Sequence, residues 1–109
     1  MTSYADVKPN SVDQLKAAVN KGAVAIAVNG YNPPFWQYTG GIISDPACGT
    51  KLDHGVLLVG YGKEKDQEFW IVKNEWTTDW GEDGFVRIEI KEGPGVCGVQ
   101  MAPSLPEST

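Results

Sequence analysis

Apolar residues near the start of the chain recur at helical spacing, whereas those further along alternate or cluster as they do in strands. The residues at helical spacing are Val12, Leu15 and Val19. Ser11 followed by Gln14 forms a capping-box pattern at the start of this stretch, and Gly22 supplies a stop after it. The pattern therefore predicts a short amphipathic helix over residues 11–20.

The remaining apolar stretches predict strands. "AVAIAV" from Ala23 to Val28 predicts a buried strand, which "NGYNPP" ends. Gly40 and Gly41 follow an aromatic cluster and predict a turn or bulge. Three further strand-like runs are separated by short connections: "VLLVGYG", "FWIVKN" and "FVRIEI". The chain is therefore predicted to be mainly β, an antiparallel sheet or small barrel with one or two short helices.

Length and composition predict one domain over residues 1–109, because 109 residues with 41% hydrophobic content suit a single modest core. The net charge of −5 is spread over separated acidic residues, so we expect neither nucleic acid nor an anionic membrane as a partner. There is no apolar run of about 18 residues and no signal-peptide pattern, so we expect no membrane span and no targeting signal in this chain. The tail "PSLPEST" is predicted to be poorly ordered, with residues 107–109 disordered.

The only histidine of the chain, His54, lies where a strand is predicted to begin. If Lys63–Gln67 joins two strands as an antiparallel hairpin, a turn centred near residues 64–65 makes His54 and Asn74 cross-strand neighbours. Side chains alternate along a strand, so Trp76 is predicted to project to the same side as Asn74 and to cover the pair.

A histidine held in one tautomer by an amide, under an indole that excludes water, is the arrangement that nucleophilic catalysis by a thiol requires. A lone histidine at the start of a strand also fits a structural or surface role, so both interpretations are open on pattern alone. The two cysteines are similarly open: a reduced pair, a disulfide, or one nucleophile and a bystander. One histidine and two cysteines give no usual metal-ligand spacing, so we predict no metal site and no cofactor.

Four segments of the chain resemble, in the same order, blocks of the C-terminal half of papain-like cysteine peptidases. They are "YTGGIISDPACG", "LDHGVLLVGYG", "FWIVKNEWTTDWGEDGFVRI" and "GVCGV". The resemblance covers about residues 4–106. It implies the β-barrel half of an α+β papain-like fold, a peptide substrate, and a lysosomal, vacuolar or secreted location.

The resemblance also assigns roles to individual residues. His54 is similar to the general base and ion-pair partner of the catalytic cysteine, Asn74 to the residue that orients it, and Trp76 to the indole that covers both. Trp80 resembles the second family tryptophan, which shapes the cleft on the leaving-group side. Four residues resemble the pocket for the second residue before the cleaved bond: Ala27, Leu52, Gly55 and Ala102.

The two cysteines, Cys48 and Cys97, resemble the ends of a family disulfide. By the chain-entropy model, closing a loop of about 50 residues stabilises the fold by about 4 kcal/mol. Asp53, beside the histidine, either tunes the local charge or is a polar residue at the start of a strand.

Two residues depart from the family pattern Asn-Ser-Trp-Gly: Glu75 replaces a small residue, and Thr77 replaces a glycine whose conformation few other residues adopt readily. The family's nucleophile lies in a Cys-Gly-Ser-Cys-Trp type segment on a separate helical domain, and this sequence contains neither that segment nor the oxyanion-hole glutamine upstream of it. We therefore expect no turnover from this polypeptide alone and a complementary cysteine-bearing half as its partner. The alternative is a non-catalytic binding module that self-associates through an apolar patch at Trp76 and Trp80.

Overall fold

The computed structural model describes residues 3–6, 9–76 and 79–107. Seven strands and two α-helices follow one another in the order β1 (Ser3–Asp6), α1 (Val12–Val19), β2 (Val24–Val28), α2 (Pro33–Trp36), β3 (Ile42–Ile43), β4 (His54–Glu64), β5 (Gln67–Lys73), β6 (Phe85–Glu89) and β7 (Ser104–Glu107). Short 3₁₀ turns lie at Pro46–Cys48 and Val96–Gly98. The strands form one sheet in the order β1-β7-β2-β4-β5-β6-β3.

The prediction of a mainly β fold with one or two short helices is confirmed, with one correction to its architecture. Among the described residues, no strand pairing joins β1 to β3, so the sheet is open and the predicted closed barrel is wrong. The pairing of β3 with β6 is parallel, so the sheet is not purely antiparallel. Within the segment predicted to be a poorly ordered tail, Ser104–Glu107 form β7, which pairs with both β1 and β2. Ser108 and Thr109 lie outside the described residues.

The helix and the first long strand form where the apolar pattern predicts them. The Ser11 side chain accepts a hydrogen bond from the Gln14 backbone N–H at 3.3 Å and caps α1. In β2, Val24, Ile26 and Val28 are buried while the alanines between them are only partly so. This alternation turns one face of the sheet towards the core.

The β4–β5 hairpin contains an irregularity that its sequence pattern does not show. Its two-residue turn lies at Lys65 and Asp66, where Lys65 has a φ of 56°. The register shifts between Leu58 and Gly60, which is a β-bulge at Val59. The bulge offsets the pairing by one residue, so the ladder ends with Leu57 opposite Lys73, just before the predicted site residues.

The disulfide implied by the family resemblance is present. Cys48 and Cys97 are bridged, with their Cα atoms 4.8 Å apart, and both are buried. The bridge ties the 3₁₀ turn before β4 to the one after β6. Since the chain has only two cysteines, neither is a free thiol.

An ion network holds the segment before β3 against β6. The Arg87 guanidinium donates two hydrogen bonds of 2.8 Å to the Glu82 carboxylate and one of 2.6 Å to Glu64. The same carboxylate of Glu82 accepts the Gly41 backbone N–H at 3.1 Å, and the Tyr38 hydroxyl donates to the Gly41 carbonyl at 2.6 Å. The hydrogen bond from Arg87 lowers the pKa of Glu82 below its ordinary value, while the carboxylates raise the pKa of Arg87.

Glu82→Gln is expected to destabilise the protein by about 1 kcal/mol at pH 7, the size of a partly exposed bidentate ion pair. Because the pKa of Glu82 is lower in the folded state, the ionised carboxylate stabilises the fold above the ordinary glutamate pKa, and this contribution is lost as pH falls through the folded value. The difference in melting temperature between the variant and the unmodified chain should therefore narrow as the pH falls from 7 to about 3. Thermal unfolding followed by circular dichroism across this range measures it.

Glu92→Gln is the matched control, because Glu92 is exposed and makes no ion pair within the described part of the chain. It should leave the melting temperature nearly unchanged at pH 7. If the melting temperature of Glu82→Gln lies as far below that of the unmodified chain at pH 3 as at pH 7, the loss of stability is steric rather than electrostatic.

Candidate active site

His54 and Asn74 meet through a short hydrogen bond. His54 is the first residue of β4, and Asn74 follows β5 directly. The imidazole Nε2 lies 2.7 Å from the Asn74 Oδ1. The Asn74 backbone N–H donates to the Gly84 carbonyl at 3.1 Å, and its side chain is buried at 4% exposure. The two strand ends therefore hold the amide rigidly in front of the imidazole.

The hydrogen bonds around Asn74 define which imidazole nitrogen carries the proton. The Glu75 backbone N–H, which can only donate, lies 2.8 Å from the Asn74 Oδ1, so the atom facing it is the amide oxygen. An amide oxygen only accepts, and the imidazole Nε2 must therefore donate to it. This tautomer leaves Nδ1 with its lone pair available to a reacting group.

Aromatic rings enclose the imidazole on several sides. Trp76 stacks on it with ring centroids 5.0 Å apart and an interplanar angle of 27°. Phe35 is fully buried and meets the rings of His54 and Trp76 edge-on, with centroid distances of 6.1 Å and 5.8 Å. Its ring is tilted against that of Trp80, with centroids 5.0 Å apart. Trp80 also donates its indole N–H to the Trp36 carbonyl at 3.2 Å. These rings cover part of the imidazole beside its hydrogen bond with Asn74.

The loop between β2 and α2 is fastened against the imidazole by Asp53. One Asp53 carboxylate oxygen accepts the Gly30 backbone N–H at 2.8 Å, and the Asp53 N–H donates to the Val28 carbonyl at 3.1 Å. The approach is close: a Cβ placed on Gly30 would lie 2.7 Å from the His54 Cβ. Asp53 thus anchors the loop, a role that its position beside the histidine did not suggest.

Two aromatic residues of the site, Tyr31 and Phe35, were not assigned to it from the sequence. The centroid of the Tyr31 ring lies 5.8 Å from that of the imidazole, with an interplanar angle of 70°. It lies 6.4 Å from the centroid of Trp76, with an interplanar angle of 54°. Both residues belong to the segment after β2 that the sequence marks only as a break followed by aromatic residues. An exposed tyrosine between Gly30 and Asn32, in a loop leaving the strand paired with the histidine strand, is the signal that could have found Tyr31.

The four residues that resemble a substrate pocket are only partly brought together. Ala27 and Gly55 are direct partners between β2 and β4, so they share one face of the sheet. The Leu52 side chain lies beside Gly98, next to the bridged Cys97, and Ala102 is exposed. A surface cavity of about 440 Å³ contains only one of the four, Gly55, and its lining residues are Ala25, Ile26, His54, Gly55, Val56, Leu57 and Glu75.

The departures from the family pattern lie at the rim of the site. Glu75 is exposed and lines the cavity that His54 also lines. Thr77 lies outside the described residues.

Within the described ranges, no group of three or more His, Cys, Asp or Glu side chains is arranged to hold a metal ion. No helix in that part of the chain is both long and apolar enough to cross a bilayer.

The model of the papain family cysteine proteases matches residues 1–107, so the chain belongs to this family. Among curated relatives, the "Probable cysteine protease RD21C" of Arabidopsis thaliana is 44% identical over 105 residues, which are 94% of this chain and 23% of that protein. The "Senescence-specific cysteine protease SAG39" of Oryza sativa subsp. indica is 44% identical over 106 residues, 94% of this chain and 31% of that protein.

Solved structures agree with this assignment. The bromelain protease from Ananas comosus, in complex with the E64 inhibitor, superposes with a TM-score of 0.90 at 35% identity, over 97% of this chain and 50% of its own. The proform of Amb a 11, a ragweed pollen allergen, gives a TM-score of 0.91 at 34% identity, over 98% of this chain and 33% of its own. The chain therefore spans half or less of each of these relatives.

Proposed function

We propose that the chain supplies the histidine and asparagine of a Cys-His-Asn peptidase site whose cysteine comes from another polypeptide segment. The observation that supports this most directly is the 2.7 Å contact between His54 Nε2 and Asn74 Oδ1, under Trp76, with Nδ1 left available. Because Cys48 and Cys97 are joined to each other, the chain itself offers no nucleophile, and we propose that it is inactive alone.

The chemistry follows from the position of the protons. Nδ1 of His54 accepts the proton of an approaching thiol, which leaves a thiolate beside an imidazolium. The thiolate attacks the peptide carbonyl carbon, and the imidazolium then returns the proton from Nδ1 to the leaving amine as the C–N bond breaks. A water molecule, deprotonated by the same nitrogen, hydrolyses the thioester and restores the thiol. Asn74 remains neutral throughout and holds the ring in place.

The surface around the site supports the docking of a further segment. Two exposed large apolar side chains lie at the site: Tyr31, whose ring lies beside the imidazole, and Leu57, which lines the cavity that His54 also lines. Monomeric proteins seldom leave clustered apolar groups uncovered. We propose that a cysteine-bearing segment, of the kind that precedes the matched region in full-length relatives, covers part of this surface. The buried disulfide is consistent with an oxidising compartment, such as a vacuole or the outside of the cell.

Reconstitution tests the proposal. The cysteine-bearing N-terminal part of the rice relative, refolded with this chain, should cleave a fluorogenic peptide in a thiol-dependent reaction that E64, the inhibitor in the bromelain complex, abolishes. The expected rate is at least about 10²-fold above that of either part alone, because general acid–base catalysis is restored only in the mixture. The control carries serine in place of the added cysteine.

A mixture no faster than the N-terminal part alone would contradict the catalytic proposal. If the chain at the same time sediments as a dimer, the interpretation as a self-associating binding module is favoured instead. In that case the exposed residues Leu57 and Val59, rather than the partly buried Trp76 and Trp80, would be the first to examine.

A further inference from the structure

We propose that Tyr31 selects the first residue on the leaving side of the cleaved bond, and that it favours an aromatic side chain there. This inference rests on the proposed function. It concerns a residue of the loop between β2 and α2 that takes no part in the hydrogen bonds of His54 and Asn74. Tyr31 is the most exposed of the large apolar side chains of the described chain, at 64%, yet its ring keeps contact with the catalytic imidazole.

The position of Tyr31 is fixed by its neighbours rather than by its own side chain. The preceding residue, Gly30, is held by the carboxylate of Asp53 and lies directly against the His54 ring. The backbone of Tyr31 therefore starts within van der Waals distance of the site. A tyrosine loses little conformational entropy on binding, since it has only two side-chain torsions. The exposed ring is thus a surface prepared for contact without a large ordering cost.

The chemistry of the imidazole indicates which substrate residue would reach this ring. Nε2 is occupied by Asn74, so the proton passes to the leaving amine from Nδ1, and that amine must lie about 3 Å from it. The side chain of the leaving residue begins two bonds beyond the amine. The Tyr31 ring, 5.8 Å from the imidazole, is therefore within reach of that side chain.

The arrangement of the rings indicates what kind of side chain fits. Tyr31 and Trp76 stand 6.4 Å apart at 54°, forming an open aromatic corner beside the imidazole. Aromatic rings pair favourably in edge-to-face or offset geometries at centroid distances of about 4.5–7 Å. An aromatic leaving residue gains one or two ring contacts.

Acyl transfer to added amines measures this preference in the reconstituted enzyme. L-phenylalaninamide and glycinamide compete with water for the thioester, and the ratio of their transfer rates reports the leaving-side site independently of the overall rate. Tyr31→Ala should lower the Phe-to-Gly ratio about five-fold, while Tyr31→Phe, which keeps the ring, should retain it. An unchanged ratio in Tyr31→Ala would overturn the proposal even though the enzyme is active.

A second measurement uses the chain alone and separates the two proposals. His54 is the only histidine, so its ring protons are a single NMR reporter of the site. L-phenylalaninamide should shift them at millimolar concentration, glycinamide should not, and Tyr31→Ala should weaken the response several-fold. Binding that depends on Tyr31 without turnover in the mixture would contradict the catalytic proposal alone. Equal shifts in Tyr31→Ala and the unmodified chain would contradict the role of Tyr31 whether or not turnover occurs.

Discussion

Replacing Cys48 and Cys97 together by alanine is expected to lower the free energy of unfolding by about 4 kcal/mol. The bridge closes a loop with a sequence separation of 49 and so restricts the unfolded chain strongly. A loss of this size is a large share of the 5–15 kcal/mol typical of a small domain. Urea unfolding followed by tryptophan fluorescence measures it, and the variant is expected to be partly unfolded at 37 °C.

Thiol titration provides the control. The unmodified chain should show no reactive thiol in the native state or in denaturant, and two after reduction. Reduction of the unmodified chain should also reproduce most of the stability loss of the double variant, since both remove the same cross-link. Two thiols reacting in denaturant without a reductant, or a double variant within about 1 kcal/mol of the unmodified chain, would contradict a stabilising bridge.

The parts of the fold that depend on local sequence are the parts that could be predicted. Helix α1 forms because its cap at Ser11 and its apolar face lie within a dozen residues. Strand β7 lies in the segment predicted to be a poorly ordered tail, because its partners, β1 and β2, lie far away in the chain. The pairing of Ile42 with Arg87, in the short parallel strand β3, is equally non-local. No window of sequence carries the information for such pairings.

The same distinction explains the site. His54 begins β4 and Asn74 follows β5, so counting residues from the turn placed them near each other. The observed register, extended beyond Leu57 and Lys73, sets Asn74 opposite Val56 rather than His54, and the two residues meet through their side chains. Tyr31 comes to the site through the pairing of β2 with β4 and the link from Asp53 to Gly30. That link is a side-chain contact between segments more than 20 residues apart, and the hydrophobic pattern does not encode it.

His54→Ala is expected to lower kcat/KM of the reconstituted enzyme by at least about 10³-fold, because the proposed mechanism uses one nitrogen both as base towards the thiol and as acid towards the leaving amine. Asn74→Ala should cause a smaller loss. It leaves the imidazole present but removes the acceptor that holds the proton on Nε2. The measurement is peptide hydrolysis by matched amounts of each variant, mixed with the same cysteine-bearing part.

The two variants differ in a second readout that a purely structural role would not change. In the unmodified chain, with the imidazole neutral in alkaline buffer, nitrogen NMR should show the proton on Nε2 of His54, whereas Asn74→Ala should give a mixture of both tautomers. Asn20→Ala is the matched control, since Asn20 is exposed at the far end of α1 and, within the described residues, its side chain bonds only Tyr61. If His54→Ala keeps more than one tenth of the activity of the unmodified chain, the proton transfers do not depend on the imidazole. If the unmodified chain carries its proton on Nδ1, that nitrogen is not free to accept one. Either result would contradict the catalytic assignment.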